Sequence, residues 1–190
     1  LYAFSTENWS RPQDEVAGLM RLLGTFIARY EADLIERQVR LRVIGRREDL
    51  ASSLREALER VERETVGFER QLIVALSYSG RSEIVRAVRR IAEDVRAGAL
   101  SPEDVDERAI AARLYAPDVP DPDLIIRTSG EMRVSNFLLW QCAYSEFFIT
   151  PVLWPDFREA DFRGAVDAYA SRERRFGGVG LQGGGGGVSC

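Results

Sequence analysis

Apolar and polar positions change period repeatedly along this chain. Leu1–Phe4 is a short apolar run that reads as the end of a strand. From Val16, the residues Leu19, Met20, Leu23, Phe26, Ile27, Tyr30, Leu34 and Ile35 recur at helical spacing and predict one long amphipathic helix ending near Gln38. Ser10 and Gln13 have capping-box spacing, Pro12 suits a first turn, and Asp14 and Glu15 favour a helix amino end. Val39–Ile44 alternates and stops at Gly45, as a strand does. Helices are expected over Arg47–Thr65, Ser82–Ala97 and Ser101–Leu114, with a buried strand at Gln71–Ser77 and Ile84, Val88, Ile91 and Val95 facing inward. Ala116–Pro122 holds three prolines and reads as a linker within one domain. Beyond it, Leu124–Ile126 and Glu146–Thr150 read as strands, Asn136–Ala143 as an apolar helix, and Arg158–Arg175 as the last helix, with Phe162, Val166 and Tyr169 on one side. Strands alternating with helices predict an α/β fold, a mostly parallel central sheet flanked by helices on both faces.

Composition narrows the chemistry. The 190 residues suffice for one domain with a real core. A net charge of −4 gives no general attraction for nucleic acid, so an anionic ligand must be caught by a local arginine cluster. There is no His, which excludes a histidine base or a histidine-ligated metal. All 26 basic residues are Arg, which excludes a P-loop lysine and a Schiff base. Cys142 and Cys190 make no disulfide framework and suit a reducing compartment. No run approaches the length of a membrane span. The chain opens at Leu1 on a strand-like run, as a piece that has lost its natural start.

The stretch Asp123–Phe137 carries the strongest chemical signal. A buried strand meets Arg127, Thr128, Ser129 and Gly130, with Arg133 and Ser135 beyond. Open α/β sheets bind ligands past the carboxyl ends of their strands. Two guanidinium forks, several hydroxyls and a glycine that admits close backbone approach suit a diphosphate. The bland alternative is the Arg127/Arg133 pair bridged to Glu131 on a solvated turn. Glu146 opens an apolar strand; it either pairs with a nearby Arg or joins a Mg²⁺ site completed by phosphate oxygens. The polar loop Ser5–Arg11 also follows a strand end. For Trp9 the bland reading is a staple against the helix, and for Glu15 compensation of the helix dipole.

The runs L-Y-A-F-S-T-E-N-W-S-R-P, D-L-I-I-R-T-S-G-E-M-R-V-S-N-F-L-L-W-Q and Y-S-E-F-F-I-T-P-V-L-W-P-D-F, with R-E-R-R-F-G-G near the end, closely resemble the cis-prenyltransferases, most of all the bacterial undecaprenyl diphosphate synthases. The resemblance implies a cis-prenyltransferase domain over residues 1–178 and a glycine-rich, disordered tail over 179–190. It implies a cytoplasmic homodimer that uses Mg²⁺ to condense isopentenyl diphosphate onto an allylic diphosphate, usually farnesyl diphosphate, making a Z double bond at each addition. The product is a polyprenyl diphosphate, the precursor of a cell-wall lipid carrier, and it brings the enzyme against a membrane. By the same resemblance Arg127, Arg133 and Ser135 hold isopentenyl diphosphate, and Glu146 is a Mg²⁺ ligand reaching into the partner's site. Ser5 and Asn8 fall to catalysis. Glu7, Trp9, Arg11 and Glu15 belong to the loop and helix start that close over substrate, and Arg175 and Gly177 to an Arg-x-Gly motif crossing the dimer. The helix from Val16 to Gln38 is one wall of the tunnel for the growing chain.

The family's first strand and its aspartate-glycine-asparagine phosphate loop are not in this sequence. The expectation is therefore that the fragment alone is inactive. Two competing readings are a non-catalytic partner subunit and a generic anion-binding α/β module.

Overall fold

The computed structural model describes residues 1–172. Arg175, Gly177, the glycine-rich tail and Cys190 lie outside the described residues. Two compact units are formed: Leu1–Asp121 with Val134–Ala143, and Pro122–Arg133 with the described residues from Tyr144 on.

In the first unit, β1 (Tyr2–Ser5), β2 (Val39–Ile44) and β3 (Arg70–Tyr78) form a parallel sheet in the order β1-β3-β2. Period-two alternation buries both faces. Phe4, Leu41, Val43, Val74 and Leu76 point to one side, where they meet Leu54, Leu58 and Val61 of α2 (Ser52–Glu64) and Ile27 of α1 (Gln13–Glu36). On the other side Ala75, Ile44 and Tyr78 pack with Tyr2, Tyr115, Phe137 and Leu138. The half-buried stripe Val16, Leu19, Met20, Leu23 and Leu34 of α1 closes onto the first core. Phe26 and Ile35, expected in that stripe, are exposed, with the Phe26 ring tilted against Tyr30.

Strand β2 lies at the sheet's edge, but its outward amides are not free. Leu41 N–H donates to Thr65 Oγ1 at 3.0 Å and Val43 N–H to Glu62 Oε1 at 2.8 Å, both from α2 and its last turn. Arg47 in turn clasps both oxygens of Glu62.

Three helical expectations change. Arg47–Thr65 divides into a short 3-10 turn (Arg47–Asp49) and α2, because Leu50 is buried at the break in extended conformation. The helix expected over Ser101–Leu114 shortens to α4 (Glu107–Ala111), capped by Asp106. Asn136–Ala143 is not an α-helix: Ser135, Asn136 and Leu138 have φ of +53°, +62° and +47°, which no right-handed helix accommodates. Its apolar residues pack on the sheet as irregular chain. The inward face of α3 (Gly80–Arg96) is Glu83, Ala87 and Ile91, while Val88 is 51% exposed. Ser10 does not cap α1; its hydroxyl donates to Glu7 O, and the carbonyl of Pro12 accepts from Glu15 and Val16.

The second unit holds β4 (Leu124–Arg127) paired in parallel with β5 (Glu146–Ile149), followed by α5 (Glu159–Ala170). Ala165 is its buried helix residue, whereas Phe162 and Val166 are exposed.

Candidate active site

In the first unit, the loop after β1 is tied down by named contacts. Ser5 N–H donates to Asn8 Oδ1 at 2.9 Å and closes the Thr6–Ser10 turn. Trp9 meets Phe4 edge-on at 5.0 Å, and its indole N–H donates to Ser77 Oγ at 2.9 Å. Ser77 is wholly buried, and its hydroxyl donates to Asp49 Oδ2 at 2.6 Å. Trp9 is thus anchored across to β3 rather than merely stapled to α1. Arg11 pairs with Glu15 at 2.7 Å on the first turn of α1, both about half exposed. Glu7 accepts from Asn136 Nδ2 at 2.7 Å. Burial pushes the Glu7 carboxyl up, but this bond and three smaller ones outweigh it and hold the group below its usual range. Ser135 is exposed at the start of the segment that packs on β1 and β3, with Tyr2 Oη near its carbonyl. A cavity of about 450 Å³ opens between Thr6, Trp9, Arg46 and Asp49.

Beneath these residues sits a buried carboxylate. Glu83 is 1% exposed and accepts from Tyr78 Oη, Gln141 Nε2 and Tyr115 N–H. Burial, then the bond to Glu83, drives the Tyr78 hydroxyl pKa far upward. Such a group stabilises the fold fully below the ordinary tyrosine pKa near 10, and the contribution is lost as pH rises past it. Tyr78→Phe is expected to cost about 1–3 kcal/mol at pH 7. Urea unfolding should also show the wild type losing stability above about pH 10 more steeply than the variant.

In the second unit, Arg127 ends β4, and its buried Nε has no hydrogen-bond partner among the described residues. Arg133 is 71% exposed and pairs with Glu131 Oε2 at 2.6 Å, so the solvated-turn alternative is realised for that residue. The Ser129 and Gly130 amides are not a free cradle: they donate to Val152 O and Thr150 O. Gly130 is needed for its φ of +67°, since a Cβ there would meet nothing within 4 Å. Glu146 pairs with Arg172 at 2.8 Å. In the parallel register Glu146 faces Leu124 while Arg127 faces Ile149. Glu146 therefore lies at the amino end of the pair, about 10 Å along the strands from Arg127. Arg127 and Arg133 line neither of the two best-formed cavities.

Sequence reasoning missed Ser77 and Asp49 behind Trp9, and Asn136 behind Glu7. The available signal for Asn136 was an Asn-bearing polar pair, Ser135-Asn136, placed directly before an apolar run; Asn tolerates positive φ better than most residues.

Parallel strands in this chain run into polar ends: Ser5 closes β1 ahead of the anchored Trp9, and Arg127 closes β4. The family model described as "Putative undecaprenyl diphosphate synthase" matches residues 1–177, and the chain belongs to this prenyltransferase family. It is 52% identical over 182 residues to an isoprenyl transferase of Brucella abortus, covering 94% of this chain and 71% of that relative. An isoprenyl transferase of Agrobacterium fabrum is 50% identical over 183 residues, covering 96% and 74%. Among solved structures, lavandulyl diphosphate synthase from Lavandula x intermedia, in complex with dimethylallyl diphosphate, superposes with a TM-score of 0.90 at 38% identity, covering 93% of this chain and 77% of that one. A probable undecaprenyl diphosphate synthase from Campylobacter jejuni gives 0.82 at 35% identity, covering 93% and 81%.

Proposed function

We propose that this chain elongates a prenyl diphosphate by condensing isopentenyl diphosphate onto an allylic diphosphate, farnesyl diphosphate in the first round, with Z geometry at each new double bond. The observation that carries the reading is Arg127: a guanidinium at the carboxyl end of a parallel strand, with a buried N–H that has no acceptor among the described residues. A diphosphate oxygen supplies that acceptor, Arg133 adds a second guanidinium, and Ser135 is assigned to isopentenyl diphosphate from its motif alone. Ser5, Glu7, Asn8, Trp9, Arg11 and Glu15 close over the reacting ends, with Ser5 and Asn8 nearest the chemistry. Excluding water protects the allylic centre as its bond to diphosphate ionises. Each added unit buries more hydrocarbon, at about 0.8 kcal/mol per CH₂. The apolar stripe of α1 is the surface that must part from the core to receive the chain.

Glu146 offers a single carboxylate, and no group of three or more acidic or sulfur side chains converges among the described residues. This donor set fits Mg²⁺ as a site shared with diphosphate oxygens, not as a protein-only cage. Glu146 would hold the ion, whose chemistry would be to offset charge on the departing diphosphate. Because Glu146 lies at the opposite end of its strand pair from Arg127, we assign it to the partner's site in a homodimer. Exposed Ile149, Leu153, Trp154, Phe162 and Val166, all of the second unit, supply apolar surface for such an interface. Arg175 and Gly177 are assigned to that interface as well. The acidic balance speaks against a nucleic-acid partner. No helix among the described residues is long and apolar enough to cross a membrane, so membrane contact is assigned to the lipid product in an otherwise cytoplasmic enzyme.

The 190-residue chain carries no aspartate-glycine-asparagine phosphate loop, and by itself it is expected to form no product. Joined to an upstream segment bearing that loop, it is expected to convert farnesyl and isopentenyl diphosphates to a polyprenyl diphosphate with Mg²⁺. Absence of product from the joined chain would overturn the reading. Arg133→Ala is expected to weaken isopentenyl diphosphate binding by about 1.5–3 kcal/mol in calorimetry, the scale of a charge-assisted bond.

A further inference from the structure

We propose that Asn136 is a positioning residue whose side chain fastens the Thr6–Ser10 turn to the amino end of α3 and thereby fixes where Ser135 presents its hydroxyl. The second half of this rests on the diphosphate reading above. Every polar group of Asn136 on the side chain is committed. Its two Nδ2 hydrogens go to Glu7 Oε1 and Ser79 Oγ, each at 2.7 Å, and Oδ1 accepts from Arg81 N–H at 2.9 Å. Its carbonyl accepts from Gly80 N–H at 2.7 Å. A carboxamide is the neutral side chain that donates twice and accepts at once, and the carboxylate of Glu7 dictates which end is nitrogen.

The contacts join segments far apart in the chain: Glu7 and Asn136 are separated by 129 positions. They exceed what α3 needs, since Ser79 already caps it by accepting from Ser82 N–H at 3.3 Å. The backbone is built for the same contact. Ser135 and Asn136 sit at φ of +53° and +62°. A Cβ on Gly80 would lie 3.0 Å from Asn136 O and 2.9 Å from Leu139 Cγ, so glycine admits the close approach. Strained backbone persists where several bonds over-determine it, and here four do.

Asn136→Gly removes the bridge and suits the positive φ, so the fold should survive by circular dichroism. Expected are an approximately tenfold loss of amide-exchange protection across Thr6–Arg11 and a similar loss of isopentenyl diphosphate affinity. Asn136→Asp gives a second readout. It sets two carboxylates side by side, with Ser79 Oγ and the Arg81 main-chain N–H on the Asn136 side and Thr6 Oγ1 on the Glu7 side as the other polar contacts. At about pH 8 both carboxylates are ionised and the turn should loosen; at about pH 5 a shared proton should restore its protection. The wild type should be flat across that window. A merely structural role predicts no such recovery. Unchanged protection in Asn136→Gly, or in Asn136→Asp at both pH values, overturns the fastening. Lost protection with unchanged affinity overturns the role for Ser135. Failure of the unmutated chain to bind isopentenyl diphosphate overturns the diphosphate reading instead, leaving the fastening to be judged by exchange alone.

Discussion

Gly45→Ala is expected to destroy the folded state of the first unit. Gly45 follows β2 at φ +117°, and a Cβ there would stand 1.9 Å from the carbonyl oxygen of Leu76. That oxygen belongs to the central strand β3 and cannot retreat, because Leu76 is buried among the residues that define the core. Overlap with main chain combined with a disfavoured φ places the loss above about 4 kcal/mol, a large fraction of a domain's entire stability. Soluble yield and the urea midpoint measure it. Gly98→Ala is the control: its φ is +71°, but nothing lies within 4 Å of a Cβ, so only about 1–2 kcal/mol of conformational cost is expected. Equal midpoints for the two variants would show that β2 and β3 do not meet as described.

Arg127→Ala should be the most damaging change to ligand handling. A bidentate guanidinium contact contributes more than a single neutral hydrogen bond, and in a water-poor site its removal costs on the order of 10²–10³-fold. Isopentenyl diphosphate affinity by calorimetry and turnover in the loop-bearing chain are the measurements. Arg127→Lys should recover only part of the loss, since an ammonium cannot reproduce the planar fork. Undiminished affinity in Arg127→Ala would move the diphosphate elsewhere. Arg133→Ala is the milder case, because Arg133 must first release Glu131 before it can engage a ligand.

Strands were the legible part of the fold. β2 runs over the residues its alternation and terminal glycine indicate, and β4 and β5 begin at Leu124 and Glu146 as read. Helix faces were less so. On α3 the periodic aliphatics Ile84 and Val88 suggested the inward side, yet Glu83 and Ala87 are buried there beside the expected Ile91. A pattern of hydrophobicity does not reveal that Tyr78, Tyr115 and Gln141 satisfy a carboxylate from three other segments. The 136–143 stretch failed for a related reason: an apolar run buries equally well as helix or as irregular chain, and of the positive-φ residues Ser135, Asn136 and Leu138 only the asparagine hints at its conformation. The site divides the same way. The arginine, serine and tryptophan motifs stand in plain view, whereas Ser77 and Asp49 behind Trp9, and Asn136 against Glu7, come from distant positions and show only after folding.

The outer margin of β2 has a consequence for how this protein behaves in company. An unpaired ladder invites a stranger's backbone, which is how sheets grow into filaments. Here a threonine hydroxyl and a glutamate occupy the docking points at Leu41 and Val43, and an arginine clamps the glutamate. A foreign strand arriving from that side finds the Leu41 and Val43 donors and the Val43 carbonyl already taken, which works against filament growth from this margin.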